Sequence, residues 1–367
     1  MSKWHIILIS LILSVSGVLC GCGFRDIDKR FFVVSMGVDK SSDPKKPYHV
    51  TLKLAIPAAQ VAAGKSNSQI ISQNADSIPE AIRVMKAKVD KEFDFGHCKV
   101  LLFDKKIIDE NPKTVLNWFV RRRDIQGISF IAIAEPSSKK VLQINPKSER
   151  LPGNALVFAF DETTNTSTYV LTEILNDFYS KLREEGIDPV LPIIRPAEKS
   201  YTIDTAAVYG GTRLKGELDR NETRMLNEML NTSKRGQINT GKGKEHFFIN
   251  VNRFSNNIDI ITPANQRPYA NIYIKVEGYV EESNGKLSTN KELLEHQRKA
   301  SLDINLRIEE LLKHLQRMGA DPLGLGLKYG ARHGSGQKQE NEWKEVYKNL
   351  DFHVHSKVKI DGSGTVY

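Results

Sequence analysis

The sequence predicts an α+β fold: several mixed-sheet domains with helices packed on them, and no transmembrane span in the mature chain. Three observations lead there. Runs with period-2 alternation, such as Asn271 to Val280, read as strands. Other stretches repeat apolar residues at helical spacing between recognisable start and stop signals. The strands fall into antiparallel-looking sets with helices interposed. The 367 residues suit two or three domains. With 40% hydrophobic and 26% charged residues, a chain of this length builds its core without disulfides or metal.

The first element is a leader. Lys3 precedes an apolar run from Ile6 to Leu19, shorter than the roughly 20 residues that cross a bilayer comfortably. That is the order and size of a signal peptide. Leu19-Cys20-Gly21-Cys22 then reads as a lipobox: a branched apolar residue, two small ones, and a cysteine whose thiol takes diacylglycerol through a thioether before cleavage. Taking Cys20 as the acceptor would leave the large Leu19 at the cleaved bond. Residues 1–21 are therefore the expected signal peptide and Cys22 the expected lipidation site. The net charge is +9, and Lys3 is the one charge in residues 1–21, so the mature chain carries +8. Such a chain attracts anionic lipid or envelope polymer weakly, although solubility alone also explains the excess. Cys98 is then the one free thiol, which excludes an intrachain disulfide in the mature monomer.

Phe31–Val38 and His49–Ile56 read as strands on either side of the turn-rich Ser41–Pro47. Ala58–Ala75 is polar and reads as a long loop. Ser77 and Glu80 form a capping box for a helix with Ile78, Ile82, Met85 and Val89 on one face. Phe95–Phe103 has strand character, strongest over Val100–Phe103. Asn111-Pro112 opens a helix carrying Val115, Trp118, Phe119 and Arg122. Ile128–Ala134 is a strand, and Thr168–Glu185 a helix with Leu171, Leu175, Phe178 and Leu182 at helical spacing. The proline-rich Asp188–Pro196 is extended and makes a boundary between regions 22–197 and 201–367. Beyond it lie strands at Tyr201–Tyr209, His246–Phe254, Ile258–Thr262 and Asn271–Val280, with a short helix at Asp219–Leu230. The longest helix runs from Asn290 to Met318, capped by Thr289 and Glu292 and stopped by Gly319, with Ile304, Ile308, Leu311 and Leu315 on its buried face. Glu342–Asn349 is a short helix and Phe352–Ile360 a last strand.

Residues with chemical potential resolve into structural roles. Cys98 follows His97, and neighbours on a strand point to opposite faces, so the two do not form a catalytic pair. Gly236–Gly243 nearly spells a phosphate-binding loop, but Gly243 stands where a magnesium-binding hydroxyl belongs, and a strand follows instead of a helix; it reads as a flexible basic hairpin loop. Gly324, Gly326 and Gly330 miss the dinucleotide spacing and read as a turn. His353 and His355 share a strand face, but no third metal ligand is placed beside them. Arg121-Arg122-Arg123 suits a helix C-terminus, where the dipole favours positive charge, better than nucleic acid in an exported protein. No catalytic, cofactor-binding or metal-binding residues emerge by motif.

An ordered set of segments carries a family resemblance over nearly the whole chain. These are Arg25-Asp26-Ile27, Met36-Gly37-Val38-Asp39, Tyr48-His49-Val50-Thr51 leading to Pro57, and Gly96 to Leu101. They continue with Asp188 to Pro192, Ala206 to Tyr209, Leu214 to Leu218, Glu222-Thr223, and Ala320-Asp321-Pro322-Leu323-Gly324-Leu325-Gly326 followed by Trp343. The chain resembles the Ger(x)C family, the C-subunit lipoproteins of nutrient germinant receptors in endospore-forming bacteria. Gly23-Phe24 replaces a tryptophan common after the lipidated cysteine, and Tyr209 stands where phenylalanine is usual. The resemblance implies three mixed α/β domains without an active site, lipid-anchored through acylated Cys22 to the outer face of the spore inner membrane. It also implies integral membrane A and B subunits as partners, and no nucleic acid. Two other classes remain open. A solute-binding lipoprotein of a transporter predicts two lobes around a cleft. An envelope hydrolase predicts a clustered acid–base or metal site.

Overall fold

β1 (Arg30–Lys40) is the strand around which the first sheet is assembled. In the computed structural model, residues 3–5, 29–55, 68–146, 154–161, 167–231, 236–240, 246–283, 290–334 and 336–361 are described. β2 (Tyr48–Ala55) returns antiparallel to β1, and β3 (Ser68–Ala75) pairs antiparallel to β2. The short β4 (Glu92–Asp94) and then β5 (Val100–Phe103) join β1 on its other side, both parallel. β6 (Phe130–Ala134) and β7 (Val190–Pro196) extend the parallel series, and β8 (Tyr201–Gly210) and β9 (Arg213–Leu218) close it antiparallel. The nine-stranded order is β3-β2-β1-β5-β6-β7-β8-β9, with β4 beside β1. The strands therefore form a parallel centre with antiparallel flanks, more mixed than the antiparallel sets expected.

Helices cover both faces. α1 (Ile78–Lys86) begins at Ser77, whose hydroxyl accepts from Glu80 N–H at 3.4 Å. The Glu80 carboxylate reaches back to Asp76 N–H at 3.0 Å. α1 shares one face with α2 (Lys105–Glu110), α3 (Pro112–Arg121) and α6 (Leu175–Lys181); Met36, Leu52, Leu101, Leu116 and Phe178 meet there. α4 (Ser138–Leu142) and α5 (Asn154–Phe160) cover the other face over Val100, Leu102 and Ala132.

Three expectations change in this half. Ser68–Ala75 is an edge strand, not loop: its backbone joins the ladder of β2 while its side chains stay mostly half-exposed, so nothing in its composition marks it. The helix expected from Thr168 begins only at Leu175. The chain before it turns at Thr168–Tyr169, then runs on without regular structure, and Ile174 is extended and bridges to Phe130. Leu171 and Leu175 belong to different cores, so their helical spacing is coincidental. Lys105–Glu110 forms a helix the sequence reading omitted, capped by Asp104. The proline-rich segment is extended, as expected, and lies inside the sheet, since β7 pairs with β8 across residues 197–200. The division into 22–197 and 201–367 does not coincide with a break between sheets. Proline costs a ladder donor, and β7 accommodates Pro192 and Pro196 because β6 meets it over two residue pairs.

The second sheet has the order β10-β11-β12-β13. β10 is Gly236–Thr240, β11 is Phe247–Ile261, β12 is Tyr269–Ser283 and β13 is Asp351–Ile360. The two strands expected at 246–254 and 258–262 are one, because β11 carries its irregularities at bulges without leaving β12. α7 (Arg220–Asn231), α8 (Asn290–Met318), α9 (Leu325–His333) and α10 (Gln337–Lys348) complete the chain. Gly326 and Gly330 lie within α9, so the glycine-rich stretch is a helix, not a turn. The core of this half includes Val190, Ala206, Val208 and Leu218 from the first sheet. β7 and β8 thus serve all three cores, with Leu191, Ile193, Ala207 and Tyr209 in the one under α1 and α3, and Ile194 and Ile203 in the one under α4 and α5.

α8 also guards an edge. Ser356, Val358 and Ile360 on β13 donate their backbone N–H groups to Asn305 Oδ1 (2.8 Å), Ser301 Oγ (3.2 Å) and Gln297 Oε1 (3.3 Å). The helix side chains occupy the pairing positions that a further strand would take. No helix among the described residues is long and apolar enough to cross a membrane.

Candidate functional site

Cys22 and the lipobox lie outside the described residues, as do Thr289 and Gly241–Gly243. Gly236–Thr240, the first part of the basic-loop candidate, is the edge strand β10. Cys98 is fully buried in a turn before β5 rather than on a strand. Its thiol contacts Val100 O at 3.9 Å, and burial pushes its pKa up to about 12, which leaves it no thiolate at neutral pH. His97 points outward, its ring edge-on to Phe32 at 4.8 Å. His353 and His355 are exposed on β13 and stack on Tyr269 (5.3 Å) and Tyr273 (5.4 Å) across the ladder. No group of three potential metal ligands occurs among the described residues.

Arg121 is the last residue of α3, as the dipole argument requires. Arg122 caps the helix through its N–H to Phe119 O. Its guanidinium lies over Phe95 (4.6 Å) and Trp118 (4.9 Å) and pairs with Asp124. Arg121 and Arg123 are exposed.

Three of the segments that carried the resemblance, those at Asp188–Pro192, Ala320–Gly326 and Trp343, meet at one joint between the two halves. Asp188 lies just before β7, and Asp321 just after α8. Asp188 N–H donates to Asp321 O at 2.9 Å, and Asp321 N–H returns to Asp188 Oδ2 at 2.7 Å. Asp188 Oδ1 takes Gly211 N–H at 2.5 Å, tying in the β8–β9 turn. The Asp321 carboxylate accepts from Leu325 N–H (3.0 Å) and Gly326 N–H (2.7 Å) and so caps α9. Leu327 N–H donates to Gly186 O at 3.0 Å. Gly186 has φ +85°, and a Cβ on Gly326 would come within 2.5 Å of Gly186 Cα and 2.6 Å of Trp343 Nε1. The joint closes only because both are glycine. Tyr347 OH donates to Ala320 O at 2.7 Å beneath it.

Burial raises the Asp321 pKa to about 7, against the pull of its amide donors and with a further push from Asp188. Burial raises Asp188 as well, opposed by the Gly211 and Asp321 amides. Sequence reasoning named both segments without bringing them together. The available signal was a pair of Asp-Pro dipeptides, Asp188-Pro189 and Asp321-Pro322, each opening an apolar run.

An open cleft of about 580 Å³ lies at the carboxyl ends of β5, β6 and β7, lined by Lys105, Lys106, Glu135 and Arg195. Parallel sheets place ligand sites at such ends. Three of these four charges are paired: Arg195 bonds Glu135 at 2.9 Å and Thr205 at 2.6 Å, and Lys105 pairs with Glu217, while Lys106 is exposed.

Residues 23–196 match the family described as Spore germination protein N-terminal domain, and residues 204–364 match Spore germination B3/GerAC like, C-terminal. The chain is 21% identical to Spore germination protein GerQC of Bacillus cereus, covering 99% of both. It is 23% identical to Spore germination protein B3 of Bacillus subtilis strain 168, covering 95% of both. The crystal structure of the GerBC protein superposes with a TM-score of 0.57 at 17% identity, over 92% of this chain and 100% of that one.

Proposed function

The chain belongs to the spore germination GerAC-like family, and on that premise we propose that it is the C subunit of a nutrient germinant receptor. In this reading, Cys22 carries lipid that holds the folded part at the outer face of the spore inner membrane. There it works through contacts with integral membrane A and B subunits and turns over no substrate. The observation that carries the reading is the match of both family segments, in order, along residues 23–196 and 204–364. The pairing of Arg195 and Lys105 in the carboxyl-end cleft and the buried Cys98 thiol support a non-catalytic role. Tethering concentrates the chain beside its partners, so modest interfaces suffice.

Spores lacking this chain should fail to respond to one nutrient or nutrient mixture, yet germinate when receptors are bypassed. A normal response to every nutrient refutes the assignment. Cys22→Ala should lose both the lipid, by mass spectrometry, and membrane partitioning, because two acyl chains supply the stable anchor.

A further inference from the structure

We propose that the end of the first sheet where β1 begins is the face that rests on the bilayer, held by anionic lipid headgroups. The inference depends on the reading that Cys22 is lipidated, and it adds which surface meets the membrane.

The tether sets the geometry. Seven residue steps lead from Cys22 to Lys29, a reach of at most about 25 Å. The chain enters the fold at Arg30, the first residue of β1. The opposite end of this 11-residue strand lies about 35 Å further on. An anchor at Cys22 therefore brings one end of the sheet to the headgroups and leaves the other out of contact.

The near end suits that position. β4 runs level with the first residues of β1, and β5 and β6 begin level with Ser35, so the loops that lead into them face this end, linked by Lys99 N–H to Val34 O and Phe130 N–H to Lys99 O. The C-terminal ends of α1 and α3 reach the same rim: α1 leads into β4 beside Arg30, and Arg122 lies over Phe95. Residues 29–30, 86–99 and 121–128 hold nine Lys or Arg against four Asp or Glu. Asp177, at the nearby start of α6, brings the acids to five and leaves the rim at +4. Arg121 and Arg123 are exposed and make no ion pair among the described residues. Beside them Ile128 is 61% exposed, on the loop that Asn176 N–H fixes through Gly127 O at 3.0 Å. An isolated apolar side chain among cations matches a lipid interface, where the hydrocarbon enters the headgroup boundary and the cations meet phosphate. At the far end Lys40, Lys105 and Arg195 pair with Glu110, Glu217 and Glu135, as Arg30, Lys86 and Arg122 at the near end pair with Asp94, Glu92 and Asp124, so the near end is set apart by its net charge, its exposed Ile128 and its closeness to the tether.

The test uses the mature, lipidated chain reconstituted on phosphatidylcholine–phosphatidylglycerol vesicles carrying a headgroup-level fluorescence quencher. Ile128→Cys and Lys106→Cys are labelled separately; buried Cys98 stays unlabelled. The label at 128 should be quenched and the label at 106 should not. Arg121→Glu with Arg123→Glu should lower the docked-to-undocked ratio about thirtyfold or more, with co-sedimentation unchanged. Arg121→Gln with Arg123→Gln should fall between, which separates a charge effect from misfolding. Equal quenching at the two positions, or quenching at 128 that survives both charge variants, overturns the proposal. A wild-type chain that does not sediment with vesicles refutes the lipid anchor itself, a distinct result that removes the basis of both readings.

Discussion

Lys53 shows how much one buried charge costs. It lies on β2 with 1% of its surface exposed, and its ammonium donates to Ile144 O at 2.7 Å. Burial lowers its pKa to about 8. Against its unfolded value, that is a cost on the order of 3 kcal/mol at pH 7, relieved as pH rises from 8 through the unfolded value. Lys53→Met should therefore stabilise the protein by about 1–3 kcal/mol at pH 7, with a smaller gain at pH 10, measured by denaturant titration. Ile144 O keeps a donor in Tyr201 OH at 3.2 Å, so the substitution strands no acceptor. Asp321, Glu173 and Glu228 act in the opposite pH direction. Burial raises each to about 7. A carboxyl with a raised folded pKa contributes fully below its unfolded pKa, and that contribution is lost as pH rises through the folded value. The melting temperature should fall between pH 5 and pH 8, and Asp321→Asn should flatten part of that fall. An unchanged slope in the variant would place the titration elsewhere.

The clamp of α8 on β13 makes a prediction for a whole element. Asn305→Leu leaves Ser356 N–H without its acceptor and should cost about 1–3 kcal/mol. Replacing Gln297, Ser301 and Asn305 together should free the strand edge and raise light scattering at concentrations where the wild type stays monodisperse. Three anchors are near the limit of such a clamp. Four helical residues rise about 6 Å while two strand residues rise about 6.6 Å, and each step turns the helix by about 40°. That helix was legible to the residue, because its interior stripe and Gly319, at φ +67°, mark its course and its end. Elements whose side chains do not declare a face were not. β3 takes ladder bonds without entering the core, and Thr168–Ile174 passes between two cores. α9 holds Gly326 where Trp343 and Gly186 crowd it, a tertiary demand that overrides helix propensity. The joint was legible only as separate segments, because nothing local in Asp188 or Asp321 states that they meet 133 residues apart.

The molecule as a whole is joined more firmly than its linear organisation suggests. The exposed turn at Ala197–Ser200 lies between two strands of one sheet, and β7 and β8 contribute to all three cores. Halves cut at Glu198–Lys199 and expressed separately should be insoluble, each exposing a strand edge and half of a core. Co-expressed, they should recover a soluble complex, since the nick falls in an exposed turn. Two soluble monomeric halves would contradict this. The placement of β1 has a mechanical consequence. Its first residues are flanked by β4 and its remainder by β2 and β5, so the N-terminal strand is interior to the sheet. A pull on the N-terminus directed along β1 loads the flanking hydrogen bonds together in shear, whereas a terminal strand at a sheet margin would unzip one bond at a time. With the proposed anchor at Cys22, the tether would pull on an interior strand, and its tension would reach the middle of the sheet before any outer element has to yield.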